Sequence, residues 1–474
     1  MIQSAVTLTK PEVTVPARTW LVVGLTCVAT TIGWYSFFIF GSLTAPVGPA
    51  FFPKAHPWLA QFASLSSFGI AFLVRPLGAI WFGRKGDRDG RKKALVGSSF
   101  ILGAATAGIG VIPRYETIGV AAPVIMVLLR VVQGLALGGQ HGIASVYIAE
   151  LVTEKKIGLW TSFVQLTVTV GLLASLAVVY GLGVSISSQA FNGWGWRLPF
   201  IFASVLAILS LYLNRGLSES PLFISESAGR VSSSQTSTWK LVLLGLFGAT
   251  AGQGVLWYTS QFQTQFFLQE VLRVQSHSAI TILVAALLLS LPFFVLFGWL
   301  SDKIGAKRTV TIGCLFAALL LYPIYRGIAA ATRSEAISIR LLKSPSSGGM
   351  KLTPVANQSD GSFKVLNVVA KPVIVALVVL VFVQSALVAL VSGPIAAYLV
   401  KRFPTNRRCT CVSLSYQLGN SVFGGALPLI SLAVISSTSS IYSWLLYPVA
   451  VLLLTFLIGF FIVRADAKSQ YHLR

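Results

Sequence analysis

The sequence predicts an all-α membrane protein with twelve transmembrane helices, arranged in two six-helix bundles related by pseudo-two-fold symmetry. Three observations lead to this fold class. The 474 residues are 55% apolar and only 10% charged, whereas about 25% of residues are charged in soluble domains. The apolar residues fall into twelve segments, each near the roughly 20 residues that cross a bilayer as a helix. A basic string also recurs in the second half of the chain at a constant offset.

The recurring string stands between two apolar segments in each half. It reads GRKGDRDGRKK from Gly83 to Lys93 and GWLSDKIGAKR from Gly298 to Arg308. Three aligned pairs are each 215 residues apart: Gly83 and Gly298, Asp87 and Asp302, and Gly90 and Gly305. So many Lys and Arg between two spans predict a loop that stays on the cytoplasmic side. The chain is therefore predicted to consist of two related halves.

The twelve predicted spans follow from the apolar segments. They cover residues 20–44, 60–83, 94–112, 121–147, 157–182, 196–214, 240–262, 278–300, 309–328, 372–398, 409–435 and 441–464. This topology places 23 of the 36 Lys and Arg on the side of the Gly83 loop, 11 on the other side, and Arg75 and Arg130 inside spans. Positive charge concentrates on the cytoplasmic side, so both termini are expected in the cytoplasm. The multi-pass chain is expected to span the inner or plasma membrane.

The spans divide the chain into parts. We predict a cytoplasmic tail at 1–19, an N-terminal bundle at 20–214, a linker at 215–239, a C-terminal bundle at 240–464 and a cytoplasmic tail at 465–474. The Ser-rich linker is predicted to be a cytoplasmic strap with little fixed structure. Residues 331–366 are predicted to be an extracytoplasmic loop insertion in the second half.

Composition excludes several classes of function. The net charge of +23 is spread in clusters between apolar segments, whereas a nucleic-acid binder gathers its basic residues on one face. No nucleophile constellation, phosphate loop or cluster with metal-ligand spacing is present in the sequence. We therefore expect no enzyme, no cofactor, no metal and no nucleic acid. The expected partners are a small organic solute, protons and membrane lipid, and a monomer is expected.

Four further strings of residues narrow the choice of protein family. They are RPLGAIWFG from Arg75, RVVQGLALGGQHG from Arg130, YIAE from Tyr147, and FPTNRRCTCVSLSYQLGNSVFGGALPLI from Phe403. With the two basic loops, they make the chain resemble the major facilitator superfamily, and within it the metabolite:proton symporter family. That resemblance covers nearly the whole chain except 331–366. It implies a carrier of dicarboxylates, shikimate, citrate, proline or betaine.

The chain departs from this family at acidic positions. Members usually carry acidic residues where this chain has Gly33 to Ser36, a Glu where it has Gln140, and a Glu where it has Lys401. None of its 13 acidic residues lies in the middle of a span; Glu150 and Glu270 stand at span ends. The membrane interior is therefore predicted to be free of carboxylates.

His141 is the predicted proton-coupling residue. Burial can move the pKa of an intramembrane titratable group into a working range, and the imidazole pKa of about 6.5 already suits proton exchange. The alternatives are a neutral histidine bonded between helices and direct contact with substrate. Arg75 and Arg130 are costly in lipid, so we expect both to face the bundle interior. There each could bind a carboxylate of the substrate, take part in gating, or serve a structural role.

The repeated loops are predicted to form a gating latch, by analogy with the family. Asp87 can accept hydrogen bonds from free N–H groups at a helix start, or it can pair with a neighbouring Arg. The latch residues are Gly83, Asp87, Gly90, Arg91, Asp302 and Lys307. Simple determination of topology is the alternative role for these loops.

A central chamber between the halves is predicted to be lined by polar and aromatic residues. Besides the two arginines, the predicted substrate-binding residues are Trp34, Tyr35, Ser36, Gln133, Gln140, Gln165, Trp257, Tyr258, Gln261, Tyr416, Gln417 and Asn420. Gln133, Gln140 and His141 are predicted to share one side of their helix, because spacings of seven and eight residues are two turns. Hydrogen bonding between helices is the alternative role for each of them.

Taken together, these features predict a function. The sequence predicts a secondary active transporter of a small organic solute, a carboxylate, that works by alternating access and proton-coupled symport. A proton-independent facilitator or exchanger is the alternative within transport. A non-transporting membrane sensor is the alternative from another class.

Overall fold

The computed structural model describes residues 19–51, 69–228, 237–332, 338–343, 350–357, 363–365, 373–438 and 440–462. The predicted tails, and parts of the second span, the linker and the insertion, lie outside these residues. Eleven helices within the described part are long and apolar enough to cross a membrane. A twelfth helix, in the predicted second span, completes the fold. The chain is a multi-pass membrane protein with two six-helix bundles.

The first bundle is formed by six helices. They are α1 (Thr19–Ser42), α2 (Arg75–Arg88), α3 (Arg91–Val111), α4 (Ala121–Leu151), α5 (Ile157–Ser185) and α6 (Leu198–Asn214). Short helices lie between them at Thr44–Phe51, Tyr115–Ile118, Glu154–Lys156, Ser188–Gly193 and Gly195–Arg197.

The second bundle repeats this order. Its helices are α7 (Thr238–Val271), α8 (Ser276–Ile304), α9 (Ala306–Ala331), α10 (Ile374–Val400), α11 (Thr405–Ile435) and α12 (Ser443–Ile462). Helix α7 contains three π-helical segments, Leu246–Thr250, Thr259–Gln263 and Phe267–Val271, and α11 contains one at Leu418–Gly424. Such segments occur often at functional sites.

The repeated basic strings are mostly helical, and the loop in each is shorter than the sequence predicts. Helix α2 continues to Arg88, and only Asp89 and Gly90 separate it from α3. In the second bundle Gly305 alone separates α8 from α9. Gly90 and Gly305 both have positive φ, 111° and 97°, a conformation that glycine adopts without a Cβ clash. We call the end of the molecule that carries these two turns the basic end.

The insertion in the second half is not an irregular loop throughout, as the sequence suggested. Strands β1 (Ser338–Lys343), β2 (Met350–Asn357) and β3 (Phe363–Val365) form an antiparallel sheet in the order β1-β2-β3. The register pairs Leu341 with Leu352 and Val355 with Val365.

The described part of the linker has more regular structure than the sequence predicts. It forms a helix at Pro221–Ala228, and the residues before this helix bind the first bundle. Tyr147 donates its hydroxyl to the Ser218 carbonyl at 2.6 Å. The Glu219 carboxylate accepts from the backbone N–H groups of Arg91 and Lys92, which are free donors at the start of α3.

The two bundles meet along helices α2, α4 and α5 of the first and α8, α10 and α11 of the second. Small residues allow close contact, as expected at helix interfaces in membranes. At Gly83 an added Cβ would lie 2.6 Å from the Thr410 Cα, and at Gly142 it would lie 2.6 Å from the Ser413 Cα. Gly134 and Gly138 pack as closely on backbone carbonyls of the segment that contains Ala71 and Arg75.

Candidate functional site

Aromatic residues from both bundles meet at the centre of the molecule. Trp34 stacks on Phe38 with ring centroids 5.5 Å apart, and Phe38 stacks in turn on Trp257 of the second bundle at 6.1 Å. Phe72 also contacts Tyr258 across the boundary, at 5.7 Å. The predicted chamber is therefore closed by facing rings in this conformation, and we call these five residues the aromatic centre.

Arg75 lies at this boundary and is 1% exposed. Its guanidinium carbon stands 4.0 Å from the Phe72 ring centroid, 4.1 Å from that of Phe37 and 5.1 Å from that of Trp34. The Tyr258 side chain of the second bundle lies beside it. Within the described part of the chain, its Nε and Nη2 have no hydrogen-bond partner. Arg75 therefore presents a buried positive charge with unused donors at the meeting point of the bundles.

His141 lies in the same place and is fully buried. Its Nδ1 accepts a hydrogen bond from the Trp34 indole N–H at 3.3 Å. Its ring stacks on Tyr416 of the second bundle with centroids 4.5 Å apart. Because Nδ1 is an acceptor, the neutral ring carries its proton on Nε2. Among the described residues Nε2 makes no hydrogen bond of good geometry, and the Gln165 side chain lies beside the ring.

Amide side chains complete the centre. Gln165 accepts from the Tyr416 hydroxyl at 3.3 Å, and Gln417 donates to the Gly138 carbonyl of the opposite bundle at 3.2 Å. The Gln417 Oε1 atom has no partner in the described chain, and neither does the buried Gln261 Oε1. Asn420 instead bonds Gln253 at 3.0 Å within the second bundle.

Several predicted chamber residues lie inside the first bundle instead. Tyr35 donates to the Pro199 carbonyl, and Gln140 donates to Ser99 at 2.8 Å. Ser36 lines a small internal space together with Gln140. The prediction that these residues face the chamber is therefore wrong, because they point towards helices of their own bundle.

The prediction that Gln133, Gln140 and His141 share one side of α4 is wrong as well. Gln133 donates to Thr106 on α3, on the side that Gln140 also faces, whereas His141 faces the other bundle. Consecutive helical residues point about 100° apart, so His141 cannot share the direction of Gln140.

Arg130 also differs from Arg75. Its Nη1 donates to Gln133 at 2.7 Å, and its guanidinium contacts Phe37 at 4.7 Å and Phe40 at 4.3 Å. All of these partners belong to the first bundle. Arg130 is buried as predicted, and these contacts lie within the first bundle, whereas Arg75 also lies beside Tyr258 of the second bundle.

The basic end carries a carboxylate cap that joins the two bundles. Asp87 accepts from the backbone N–H of Cys409 at 2.8 Å, and from the N–H of Thr410 at 3.0 Å and its hydroxyl at 2.6 Å. Asp87 thus binds a helix start, one of the two roles considered, and that helix is α11 of the other bundle. Asp87 lies in the last turn of α2, beyond the predicted membrane span. Burial raises the pKa of its carboxyl to about 6, although the bonds from Thr410 act in the opposite direction.

Asp302 forms the reciprocal cap. From the second bundle it accepts the backbone N–H groups of Gly158 at 2.7 Å and Leu159 at 2.8 Å, at the start of α5. Each bundle therefore supplies a carboxylate to a helix N-terminus of the other, where the free N–H groups and the helix dipole favour a negative charge.

A buried ion triad lies beside the first cap. Arg91 binds Glu150 in bidentate fashion at 3.0 and 3.1 Å, and Arg408 of the second bundle binds the same carboxylate at 2.9 Å. Ser220 of the linker adds a bond of 2.6 Å to Glu150. From the sequence, Glu150 is placed at a span end without a role. The signal was available, because Glu150 ends the YIAE string one turn beyond the predicted span.

The predicted latch residues are thus only partly brought together. Gly83, Asp87, Arg91 and Asp302 contact the opposite bundle or bind a residue that does. Lys307 instead donates to the Phe460 carbonyl within its own bundle, at 3.4 Å. Its role in the latch stays a prediction. Gly90 forms the turn described above.

This architecture defines a class of protein, the multi-pass membrane transporters built from two related helix bundles. The profile of a family described as "Sugar (and other) transporter" matches residues 22–243. The chain is 32% identical over 319 residues to the shikimate transporter of Escherichia coli, a match that covers 63% of this chain and 70% of that protein. The chain belongs to the major facilitator superfamily, and within it to the metabolite:proton symporter family.

Two further comparisons agree. The chain is 33% identical over 307 residues to the glycine betaine/proline/ectoine/pipecolic acid transporter OusA of Dickeya dadantii, and the match spans 61% of each chain. The structure of the proton:xylose symporter XylE bound to 6-bromo-6-deoxy-D-glucose superimposes with a TM-score of 0.71 at 17% identity, over 95% of this chain and 97% of that one. The latter likeness concerns the fold.

Proposed function

We propose that the protein transports a small organic carboxylate across the cytoplasmic membrane by alternating access, with its basic end and both termini in the cytoplasm. The observation that carries the substrate class is Arg75. A buried guanidinium with unused donors is stabilised by an anion that accepts from it, and a carboxylate fits the guanidinium fork. No acidic residue of the sequence lies between Glu12 and Asp87 or between Glu154 and Glu219, so the chain itself offers few competitors.

The surroundings of Arg75 describe the rest of the substrate. Trp34, Trp257 and Tyr258 supply an apolar wall, while His141 Nε2–H and Gln417 Oε1 supply a donor and an acceptor that make no hydrogen bond of good geometry in the described chain. A compact solute with one carboxylate, an apolar face and a hydroxyl or carbonyl group would satisfy these groups. The aromatic rings would separate to admit it.

A zwitterion is the second candidate, and the aromatic centre favours it. Faces of Trp and Tyr attract quaternary ammonium groups, so a betaine could place its carboxylate on Arg75 and its cation among the rings. The two relatives differ in the same respect, because OusA is named for zwitterions such as glycine betaine and proline, whereas the other is named for shikimate, a carboxylate.

The two caps and the ion triad support alternating access. They join the bundles at the basic end, and they consist of polar groups that water could solvate once the bundles separate there. We infer that they form a latch, which holds the cytoplasmic side closed while the centre opens to the opposite side. Gly83, Asp87, Arg91, Glu150, Asp302 and Arg408 carry it.

Proton coupling through His141 is part of this proposal. Protonation of Nδ1 would turn it into a donor that faces the Trp34 N–H, so the imidazolium requires the 3.3 Å bond to break. Loading a proton would therefore displace Trp34 within the aromatic centre. A facilitator or exchanger that moves no protons is the alternative, and a membrane sensor would bind solute without moving it.

Uptake by proteoliposomes tests the proposal. Shikimate, 2-oxoglutarate, glycine betaine and proline would be offered with and without an inward proton gradient. We expect uptake of at least one solute, an increase with the gradient, and a loss of about 100-fold in R75Q, since a charged hydrogen-bonding partner contributes about 2–3 kcal/mol. R75K should retain part of the activity, and R308Q, at an exposed arginine, should retain all of it.

Each part of the proposal can fail separately. Normal uptake by a correctly folded R75Q protein would remove Arg75 from the substrate site. Uptake that ignores the proton gradient and moves no protons would establish the facilitator. Binding without uptake for every solute would favour the sensor.

A further inference from the structure

A cavity of about 550 Å³ opens at the basic end, outside the aromatic centre. Helix α2 of the first bundle forms one wall, and the starts of α7 and α11 of the second bundle form the other. Three arginines line it, Arg84 and Arg88 from α2 and Arg407 from α11, and none of them belongs to the caps or the ion triad. This cavity therefore lies across the boundary between the bundles, like the caps, but it faces outward.

The cavity is strongly positive. Arg84 and Arg88 are exposed and stand four residues apart on α2, so their side chains lie on one face of the helix. Arg407 is also exposed and donates to the Thr238 hydroxyl at 2.8 Å. No ion pair in the described chain joins any of the three to a carboxylate. Asp87 also lines the cavity, but its oxygens are engaged by Cys409 and Thr410.

Part of the remaining lining is apolar, although Ser237, Thr238, Asn406 and Thr410 also line the cavity. Ile80 and Leu414 line the cavity towards the membrane interior, and Trp239 lines it near the start of α7. Trp239 is 58% exposed, and Trp81 on the neighbouring turn of α2 is 55% exposed. Exposed tryptophans of this kind are typical of the interface between bilayer and water.

We propose that this cavity binds the headgroup of an anionic phospholipid. A phosphate diester would accept hydrogen bonds from the arginines, while its acyl chains would descend along Ile80 and Leu414. Basic pockets between transmembrane helices on the cytoplasmic side are suited to such headgroups. A freely soluble anion would use the arginines alone and leave the apolar walls in water, so the geometry favours lipid.

Bound lipid also stabilises the closed basic end. Opening that end would move Arg84 and Arg88 away from Arg407, and a headgroup held by both bundles opposes this separation. Binding itself does not depend on transport. The effect on opening rests on the proposed alternating access.

Thermal unfolding of the delipidated protein tests the binding. We expect phosphatidylglycerol or cardiolipin to raise the Tm by several degrees, and phosphatidylethanolamine and inorganic phosphate to leave it unchanged. The triple variant R84Q/R88Q/R407Q should lose most of this shift, while R84K/R88K/R407K should keep much of it. The control K155Q/K156Q/R308Q removes the same charge from exposed positions of the same end and should keep all of it.

Three results would overturn the lipid site. They are a full shift in the R84Q/R88Q/R407Q protein, an equal loss in the control, and an equal shift with inorganic phosphate alone, which would indicate a free anion. A triple variant that fails to fold would be replaced by R407Q, for which a reduced shift is expected.

Alkylation of Cys409 tests the effect on opening. This thiol is buried against Gly86 of the other bundle and becomes accessible when the basic end opens. In C27S/C314S/C411S protein in nanodiscs, we expect anionic lipid to slow its alkylation by at least about threefold, a change of about 0.65 kcal/mol. The R84Q/R88Q/R407Q protein should show no such effect. An unchanged rate alongside a normal Tm shift would refute the effect on opening and leave the lipid site standing, whatever the uptake assay finds.

Discussion

Asp87 accepts two hydrogen bonds from Thr410, one from the backbone N–H at 3.0 Å and one from the hydroxyl at 2.6 Å, across the boundary between the two bundles. Asp302, its partner in the internal repeat, makes the equivalent contact in the other direction with the start of α5. The repeat of 215 residues thus produces two reciprocal caps. Because both caps cross the boundary, both must break when the basic end opens.

Removal of the first cap should open this end. D87A leaves the N–H groups of Cys409 and Thr410 without an acceptor in the closed form, a cost of about 2 kcal/mol. We therefore expect the alkylation rate of Cys409 to rise roughly 30-fold. D87N keeps one acceptor oxygen, so its effect should be smaller.

The matched control for this variant is D89A. Asp89 is exposed and lies in the turn that follows α2, so its removal should leave alkylation unchanged. Equal rates in the D87A and wild-type proteins would show that the cap does not hold the bundles together.

The cap should also respond to pH. Burial raises the pKa of Asp87 to about 6 in the closed form, whereas in an open, hydrated form it returns towards about 3.9. The closed form therefore binds a proton more tightly, and its relative stability is greatest below about pH 4 and declines as the pH rises through about 6. Between pH 7.5 and 5.5, the ratio of Cys409 alkylation rates in wild type and D87A should fall as the pH falls. A constant ratio would contradict the shift.

The ion triad should contribute strongly to stability. In E150Q two buried guanidinium groups, those of Arg91 and Arg408, lose their shared carboxylate. A buried charge without its partner costs about 3–5 kcal/mol, so the Tm in detergent should drop by many degrees. E154Q, at an exposed position one turn further on, serves as the control. A Tm equal to that of wild type in E150Q would mean that water already solvates the triad.

Trp34 should control the protonation of His141. W34F removes the indole N–H that occupies Nδ1 while it keeps an aromatic ring in the centre. If His141 carries the proton, W34F should shift the pH dependence of uptake towards higher pH, because the free Nδ1 is easier to protonate. H141N should abolish the response to a proton gradient while it leaves exchange of labelled solute measurable. A gradient response retained by the H141N protein would assign proton coupling to another group.

Gly142 should be essential for closure. An added Cβ would lie 2.6 Å from the Ser413 Cα of the other bundle, a distance that the closed form cannot accommodate without movement. G142A should therefore raise the accessibility of Cys409. G97A is the control, since nothing lies within 4 Å of a Cβ there, and Ala in the interior of a helix is favoured over Gly by about 1 kcal/mol. Slow alkylation in both proteins would show that the helices shift to accept the methyl group.

Much of the architecture could be predicted because hydrophobicity is a local property. Eleven of the predicted spans, for example 20–44 for Thr19–Ser42 and 309–328 for Ala306–Ala331, differ from the helices mainly at their ends. The exception is the second span. Helix α2 continues through the basic string to Arg88, because Lys and Arg are good helix formers and a helix does not end where the membrane does.

The lining of the centre was harder to predict, as Gln140 and His141 demonstrate. The sequence shows that both are polar and intramembrane, but it does not show which side of α4 faces the other bundle. The helix points Gln140 towards Ser99 and His141 towards Tyr416. Rotation of a helix about its axis is set by packing against its neighbours, and this information is absent from the local pattern.

By itself, the sequence determined the twelve spans, the internal repeat and a membrane interior poor in carboxylates, because each depends on residue type and spacing along the chain. Only the tertiary structure decided that Arg75 lies beside Tyr258 of the other bundle, while Arg130 contacts Gln133, Phe37 and Phe40 of its own. It alone brought Glu150 to Arg408 and Asp87 to Thr410, pairs separated by 258 and 323 positions. Contacts over such distances depend on how the two bundles dock, and docking is a property of the whole fold.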